Sequence, residues 1–241
     1  MPLPALPPSA APYSRITFAE NMRLPVHSWF RYSAGFSASW VRGVLQVRSI
    51  AEPVRLLDPF AGSGTSLIEA EWRGVRSIGI EAHPFIVRVA RAKLAWRSDA
   101  DAFGRLALEI LELARARDGS LDGYPDLVRR CFTDEALLKL DALRRAWEAL
   151  RSESQASDLA WLALASILRP CAAVGTAPWQ YVLPSKPKVR VQEPFDAFDG
   201  TCGIMIQDMR EVQAGEIYPT ARVYQGDARE CADVPDGWHV I

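Results

Sequence analysis

The sequence predicts an α/β fold of the Rossmann-like type, in which parallel strands alternate with helices. An apolar run ending at Asp58 is followed at once by Pro59, by glycines and by a helical pattern that opens at Thr65. Residues 76–81 are predicted to form a second strand that also ends at an acid. Strand, glycine turn and helix in this order are typical of a nucleotide-cofactor site at the carboxyl end of a parallel strand.

The chain begins with residues 1–14, whose five prolines predict an extended or disordered lead-in. A short helix is expected from Ser39 to Val47, and the first strand at Val54–Leu57. After the glycine turn the pattern favours a helix from Thr65 to Arg73, which Gly74 would end as a cap glycine.

The second strand leads to another helix, which opens at Pro84 and keeps an apolar residue every four positions towards Trp96. Residues 98–220 then show helical spacing and are predicted to be a mostly helical insertion that could help to hold DNA or serve as a scaffold. Its helices are expected at Phe103–Leu113, at Ala136–Leu150 with Thr133 as N-cap, at Leu159–Ile167 with Pro170 as the stop, and in the second half of Phe195–Val212.

Strand patterns return in residues 221–241, first at Ala221–Gln225 and then at Gly237–Ile241. Together with residues 15–97 they form the predicted α/β domain, with about four parallel strands side by side and the last strand at an edge. The 241-residue chain, of which 49% is hydrophobic, can bury one or two cores of this kind.

The residues around the glycine turn discriminate between cofactors. A phosphate-binding loop would need a lysine after the glycines, and a dinucleotide loop would need a third glycine near Leu67. Asp58 would repel a pyrophosphate, but a carboxylate suits S-adenosylmethionine, which carries an ammonium and a sulfonium. Gly62 and Gly64 would let the backbone approach this cofactor closely.

The octet Asp58-Pro-Phe-Ala-Gly-Ser-Gly-Thr65 resembles the first motif of the DNA methyltransferases that modify exocyclic amino groups, N6 of adenine or N4 of cytosine. The resemblance implies an S-adenosylmethionine-dependent methyltransferase fold. It also implies that the cofactor is bound by six residues of the octet, namely Asp58, Pro59, Phe60, Gly62, Gly64 and Thr65.

Four further residues are predicted to bind the cofactor. Glu81 lies nineteen positions after Gly62, which fits an acid that accepts hydrogen bonds from ribose hydroxyls. The segment around Asp227 resembles the third cofactor motif of the same family, in which an Asp accepts from the adenine amino group. An aromatic segment before the glycine turn resembles the part that closes over the methionine end, and Phe36 and Ser37 are the candidates there.

The formal net charge of −1 gives no overall nucleic-acid signature, so a DNA-binding surface would have to be local. Lys186, Lys188 and Arg190 follow the aromatic run Trp179–Tyr181, and such a segment could stack on bases and contact phosphates. An ordinary aromatic-anchored loop is about as good an interpretation, but the run resembles loops of the same methyltransferase family, and this resemblance favours DNA binding.

The four cysteines and three histidines are scattered, which suggests neither a metal site nor a disulfide framework. No apolar run reaches membrane-spanning length and no signal peptide is recognisable, so a cytoplasmic protein with reduced thiols is expected.

One motif of the family is not found in this sequence. Amino-methylating DNA methyltransferases carry a polar residue, two prolines and an aromatic, which accept the protons of the target amine and stack on the flipped base. The only Pro-Pro pair here is Pro7-Pro8, and the motif would be expected after Ile241. The expectation is therefore an incomplete fold, split or truncated, that is inactive and poorly soluble alone or associates with a second polypeptide carrying the catalytic half.

The function predicted on these grounds is the cofactor-binding portion of a site-specific DNA methyltransferase, of the kind found in restriction-modification. Two alternatives stay open at this point. One is an RNA base methyltransferase, because the cofactor loop does not specify the nucleic acid. The other is a non-catalytic cofactor-binding subunit of a methyltransferase complex.

Overall fold

The computed structural model describes residues 18–32, 34–48, 55–175, 186–214, 220–231, 234 and 239–240. The chain forms two compact units, one made of Met1–Arg97 and Asp208–Ile241 and the other of Ser98–Gln207. The predicted lead-in at residues 1–14 and the aromatic run Trp179–Tyr181 lie outside the described residues.

The first unit contains a sheet of four parallel strands in the order β3-β2-β1-β4. The strands are β1 (Arg55–Asp58), β2 (Arg76–Glu81), β3 (Arg222–Gln225) and β4 (His239–Val240). The prediction of four parallel strands side by side, with the last at an edge, is confirmed. This mixed α/β arrangement is compatible with a Rossmann-like fold.

Three α-helices of the first unit connect or precede these strands: α1 (Ala38–Arg48), α2 (Thr65–Glu71) and α3 (Pro84–Leu94). Three short 3-10 helices accompany them, at Phe18–Arg23, His27–Trp29 and Ala95–Arg97. The helix predicted to reach Trp96 is α-helical only as far as Leu94, two residues short, and continues as the 3-10 helix Ala95–Arg97. Gly74, with φ +69°, follows α2 in the left-handed conformation expected of a C-terminal glycine.

The sheet and the glycine turn pack closely because β2 contains a glycine. A Cβ atom on Gly79 would lie 2.7 Å from Cβ of Ala61 and 2.8 Å from Cδ1 of Leu67. Without that side chain, the turn after β1 and the first part of α2 can rest directly on β2. Leu57, Ile78 and Ile80 form the buried core of the sheet.

The described part of the second unit consists mainly of helices. It contains α4 (Ala100–Arg115), α5 (Asp126–Cys131), α6 (Asp134–Leu150), α7 (Gln155–Cys171) and the greater part of α8 (Pro194–Val212). The side chains of Asp99, Thr133 and Ser154 accept hydrogen bonds from the first turns of α4, α6 and α7, as N-caps do. The Thr133 cap was predicted; the short helix α5 was not.

Two predicted helix ends are wrong. Helix α7 does not stop before Pro170 but includes it and ends at Cys171. Helix α8 is helical from Pro194 onwards and not only in its second half. The boundary between the units falls inside α8, after Gln207, whereas the sequence placed the end of the insertion at residue 220.

Among the described residues, no helix has the length and apolarity needed to cross a membrane. The same residues contain no group of three His, Cys, Asp or Glu side chains arranged to hold a metal ion.

Candidate cofactor site

The turn between β1 and α2 is organised by the buried carboxylate of Asp58. Its Oδ1 accepts the Phe60 N–H at 3.0 Å, and its Oδ2 accepts the Ser66 hydroxyl. Burial raises the pKa of Asp58, although the hydrogen bonds from Ser66 and Phe60 partly oppose the rise. Asp58 thus lies under the turn and connects its start to the first turn of α2.

Both glycines of the octet have positive φ, +52° at Gly62 and +85° at Gly64. At Gly62 the space is also restricted, because a Cβ atom would lie only 2.8 Å from Cε1 of Tyr32. The Tyr32 ring therefore covers this glycine. Burial raises the pKa of Tyr32 and the charge of Glu81 raises it further, so the tyrosine also lies near that acid.

Glu81 joins the end of β2 to the glycine turn. Its Oε2 accepts the Gly62 N–H at 3.1 Å, and its Oε1 accepts the His83 N–H at 2.8 Å. A second link is the Ala61 N–H, which donates to the Ile80 carbonyl oxygen at 2.9 Å. Each carboxylate oxygen has room for a further hydrogen bond, so the half-buried Glu81 can also accept from a ligand hydroxyl.

Asp227 lies two residues beyond the end of β3, and β3 is the strand that pairs with β2. The Gly226 N–H donates to the main-chain carbonyl oxygen of Glu81 at 3.2 Å, which brings Asp227 to the same edge of the sheet. The Asp227 carboxylate forms a salt bridge with Arg229, whose side chain is 89% exposed. Arg229 Nε lies 2.9 Å from Oδ1 and 3.0 Å from Oδ2.

The remaining predicted cofactor residues differ in exposure. Phe60 is 76% exposed and Pro59 is half-buried, whereas Thr65 is buried at the start of α2. Phe36 packs against Trp40 of α1 with ring centroids 4.9 Å apart. Ser37 is buried, and its Oγ accepts the Trp40 N–H at 3.4 Å at the start of the same helix.

Two buried hydroxyl groups of the turn fit a site that binds a polar ligand. Ser63 Oγ and Thr65 Oγ1 have no hydrogen-bond partner within the described parts of the chain. A buried hydroxyl without a partner costs free energy, which a ligand's polar groups can recover. With the glycine backbone and the acceptors of Glu81, these groups suit the donors and acceptors of a nucleoside-containing cofactor.

Around Glu69, a buried ionic cluster fastens the N-terminal segment to α2. The carboxylate accepts from His27 Nε2 at 3.0 Å, from Arg42 Nε at 2.9 Å and from Arg73 at 2.8 Å. Burial alone would raise the pKa of Glu69, but the hydrogen bonds from His27 and Arg42 outweigh it and lower the pKa. Burial also lowers the pKa of His27, which favours the neutral ring.

The buried side chain of Lys93 on α3 holds the same segment. Its Nζ donates to the His27 carbonyl oxygen at 2.9 Å. Asp208 accepts the Trp29 Nε1–H at 2.8 Å and the Val26 N–H at 3.1 Å. The segment that carries Tyr32 is thus attached by buried polar contacts to α2, α3 and α8.

The structure therefore brings the octet, Glu81 and Asp227 together at the carboxyl ends of β1, β2 and β3. Phe36 and Ser37 both contact Trp40 of α1. Lys186, Lys188 and Arg190 belong to the second unit, after the part of the chain that is not described. Sequence reasoning missed Tyr32: the aromatic segment was recognised, but nothing in it indicates which ring covers Gly62.

Comparison with known proteins shows that one segment of the chain is similar in sequence to methyltransferases. A segment of 69 residues, 29% of this chain, is 35% identical to the Type II methyltransferase M.BsoBI of Geobacillus stearothermophilus. The same identity over 69 residues is found with the Type II methyltransferase M.AvaI of Nostoc sp. and of Anabaena variabilis. These matches confirm the resemblance to methyltransferases that the sequence predicted.

The matched segment corresponds to 14% of the length of each of these relatives. No family model matches the chain, and no solved structure matches it. The resemblance therefore concerns one segment.

Proposed function

We propose that this chain binds S-adenosylmethionine at the carboxyl edge of its sheet, as the cofactor-binding portion of a DNA methyltransferase that modifies an exocyclic amine. The observation that carries the proposal is the contact between Glu81 and Gly62. It joins an acid at the end of β2 to the glycine turn after β1. The similarity to Type II methyltransferases supports the same reading.

Each end of the cofactor has candidate partners among the described residues. The Glu81 carboxylate would accept from the ribose hydroxyls with the acceptor positions that Gly62 and His83 leave open. Asp227 would accept from the adenine amino group. This requires Arg229 to share or leave the carboxylate, which its exposure allows.

The methionine end would lie against the glycine turn. The buried hydroxyls of Ser63 and Thr65 are candidate partners for its polar groups, and Tyr32 and Phe60 are aromatic candidates for the walls. Asp58 acts mainly as a positioning residue here, since both of its oxygens already accept hydrogen bonds inside the turn. Its negative charge and that of Glu81 would favour a cationic cofactor and disfavour a pyrophosphate.

When bound, S-adenosylmethionine supplies a methyl group that its positively charged sulfur makes reactive. The residues named here bind and orient the cofactor, and none is assigned to the activation of the target amine. DNA as the acceptor is proposed from the resemblance and from the relatives. Adenine or cytosine as the target base is left open.

Isothermal titration calorimetry with S-adenosylmethionine tests the proposal. The whole chain is expected to bind, and Glu81→Gln should weaken binding by about 1–3 kcal/mol, because it replaces one of two charged acceptors with an amide donor. Glu112→Gln is the matched control. It makes the same change at an exposed carboxylate on α4 and should leave the affinity unchanged.

Titration with a nicotinamide dinucleotide is the second arm, and no binding is expected. Binding of the dinucleotide in preference to S-adenosylmethionine would contradict the cofactor assignment. Equal affinities for the wild-type and Glu81→Gln proteins, both folded by circular dichroism, would remove Glu81 from the site.

A further inference from the structure

A second surface of interest lies in the second unit, where three segments that are distant in sequence meet at Ala173. The Ala173 N–H donates to the Cys131 carbonyl oxygen at 2.8 Å, and the Ala173 carbonyl oxygen accepts the Lys188 N–H at 2.9 Å. Val174 and Pro187 form an antiparallel bridge beside these bonds. The end of α5, the end of α7 and the segment that carries Lys188 are therefore direct neighbours.

Each of these three segments carries cationic side chains. We call these six residues the Ala173 cluster; they are Arg129, Arg130, Arg169, Lys186, Lys188 and Arg190. All of them are exposed except Lys188, which is half-buried. Arg129 and Arg130 lie in the last turn of α5, and Arg169 lies in the last turn of α7.

Negative charge is scarce beside the cluster. Residues 159–192 contain no Asp or Glu. The first acid after them, Glu193, forms a salt bridge with Lys139 at 3.1 Å. Asp126 begins α5 and Asp134 begins α6, but among the described residues neither Arg129 nor Arg130 forms an ion pair with an acid. Within the described part of the chain, the exposed Arg129, Arg130, Lys186 and Arg190 form no salt bridge with an acid.

Lys188 has a structural task within the cluster. Its Nζ donates to the Arg169 carbonyl oxygen at the end of α7, and burial and then the charge of Arg169 lower the pKa of Lys188. The cluster thus brings like charges close together, at a cost in stability. Of the residues that sequence reasoning assigned to DNA, Lys188 is the one already engaged in the fold, whereas Lys186 and Arg190 are exposed.

We propose that the exposed cations of the Ala173 cluster contact the phosphates of duplex DNA. The choice of DNA rests on the proposed function, in which DNA is the methyl acceptor. The surface joins Arg129, Arg130 and Arg169 to the Lys186–Arg190 segment, so its footprint is larger than that segment alone. Arginine suits this task, since its guanidinium donates two parallel hydrogen bonds to a phosphate.

A lipid surface is the competing partner, because Val189 is fully exposed between two of the cations. Binding in the membrane interface usually relies on a helix with a wide apolar face. Helix α5 has six residues, none of them buried, and the other cations lie at a helix end and in an irregular segment. This geometry favours contacts with a phosphate backbone.

The salt dependence of binding to a labelled mixed-sequence DNA duplex, measured by fluorescence anisotropy, tests this proposal. Each phosphate contact contributes about 0.9 to the slope of log K against log salt concentration. Arg129→Ala/Arg130→Ala should therefore reduce the slope by about two units. Lys186→Ala/Arg190→Ala should reduce it by the same amount from another segment.

Arg105→Ala/Arg151→Ala is the matched control, with the same loss of charge from the same unit. Arg151 precedes α7, a helix of 17 residues that spans about 25 Å, so it lies at the end opposite to Arg169. The control should leave the slope as in the wild type. An unchanged slope in both cluster variants, or no binding of the duplex by the wild type, would overturn the proposal.

Two further arms separate the alternatives. Tighter binding to phosphatidylserine vesicles or to duplex RNA than to duplex DNA at equal salt would also overturn the proposal that the cluster binds DNA. The cluster variants should bind S-adenosylmethionine with wild-type affinity in the calorimeter. A wild-type chain that binds no cofactor but shows the expected slopes would refute the proposed function and leave the DNA-binding surface standing.

Discussion

At the scale of single residues, Gly62 shows how the turn depends on one missing side chain. Its backbone has φ +52°, where L-residues are disfavoured, and Tyr32 occupies the space that a Cβ atom would need. The Gly62 N–H is also the donor to Glu81. Backbone conformation and packing thus require glycine at this position, whereas the hydrogen bond excludes only proline.

Gly62→Ala is therefore expected to lower the free energy of unfolding by about 1–2 kcal/mol through the positive φ alone, and further through the overlap with Tyr32. Gly43→Ala is the control: this glycine lies inside α1, and a Cβ atom there meets nothing within 4 Å. It should stabilise the protein by about 0.5–1 kcal/mol. Urea unfolding measures both, and a Gly62→Ala protein as stable as the wild type would contradict the described turn.

At the scale of elements, the Glu69 cluster decides how the N-terminal segment meets α2. The carboxylate binds His27 of a 3-10 helix, Arg42 of α1 and Arg73 just after α2. All these partners are charged or polar, and Glu69 itself is fully buried. Removing the carboxylate would leave the half-buried Arg42 and Arg73 without their counter-charge, which is more costly than losing a surface ion pair.

Glu69→Gln is expected to destabilise the protein by about 3–5 kcal/mol at neutral pH. The folded-state pKa of Glu69 is lowered, so its contribution is complete above the ordinary value of 4.5 and is lost as the pH falls through the folded-state pKa. The deficit of the variant should therefore shrink in acid. Urea unfolding between pH 3 and pH 7 measures this trend.

Glu135→Gln is the matched control for that series. Glu135 forms an exposed pair with Lys139 four residues further along α6, and its replacement should change stability little. A deficit of Glu69→Gln that grows as the pH falls would contradict the assignment of a charged, buried Glu69.

At the scale of the whole molecule, the two compact units carry different candidate sites. The proposed cofactor residues belong to Met1–Arg97 and Asp208–Ile241, whereas the Ala173 cluster belongs to Ser98–Gln207. Bound ligands suppress local opening where they bind, which slows the exchange of the local amide hydrogens.

Hydrogen exchange followed by mass spectrometry should therefore distinguish the two ligands. S-adenosylmethionine is expected to protect β1, the glycine turn and β2, and to leave α6 unchanged. Duplex DNA should protect α5 and the segment around Lys188. Glu81→Gln is the control for the cofactor, since it should reduce the first effect without the second. If the cofactor protected α6 as strongly as β1, the assignment of the cofactor site to the first unit alone would be refuted.

The sequence by itself determined the local order of strand, turn and helix at the candidate cofactor site. The octet from Asp58 to Thr65 combines residues that favour a turn with positive φ, and such preferences act over a few residues, so strand, turn and helix could be predicted. The position of Glu81 close to the glycine turn could also be predicted, because nineteen residues is the length of one strand-helix-strand unit. The resemblance to the family implied that four parallel strands lie side by side with the last at an edge, but not the order β3-β2-β1-β4.

Only the tertiary structure decided which distant residues meet. Tyr32 covers Gly62, Glu69 collects His27 and two arginines, and Ala173 joins α5 to the segment of Lys188. Such contacts depend on how complete elements pack, and no short-range pattern encodes them. Periodicity likewise could not show that α7 continues through Pro170 to Cys171, because the apolar spacing ends at Ile167.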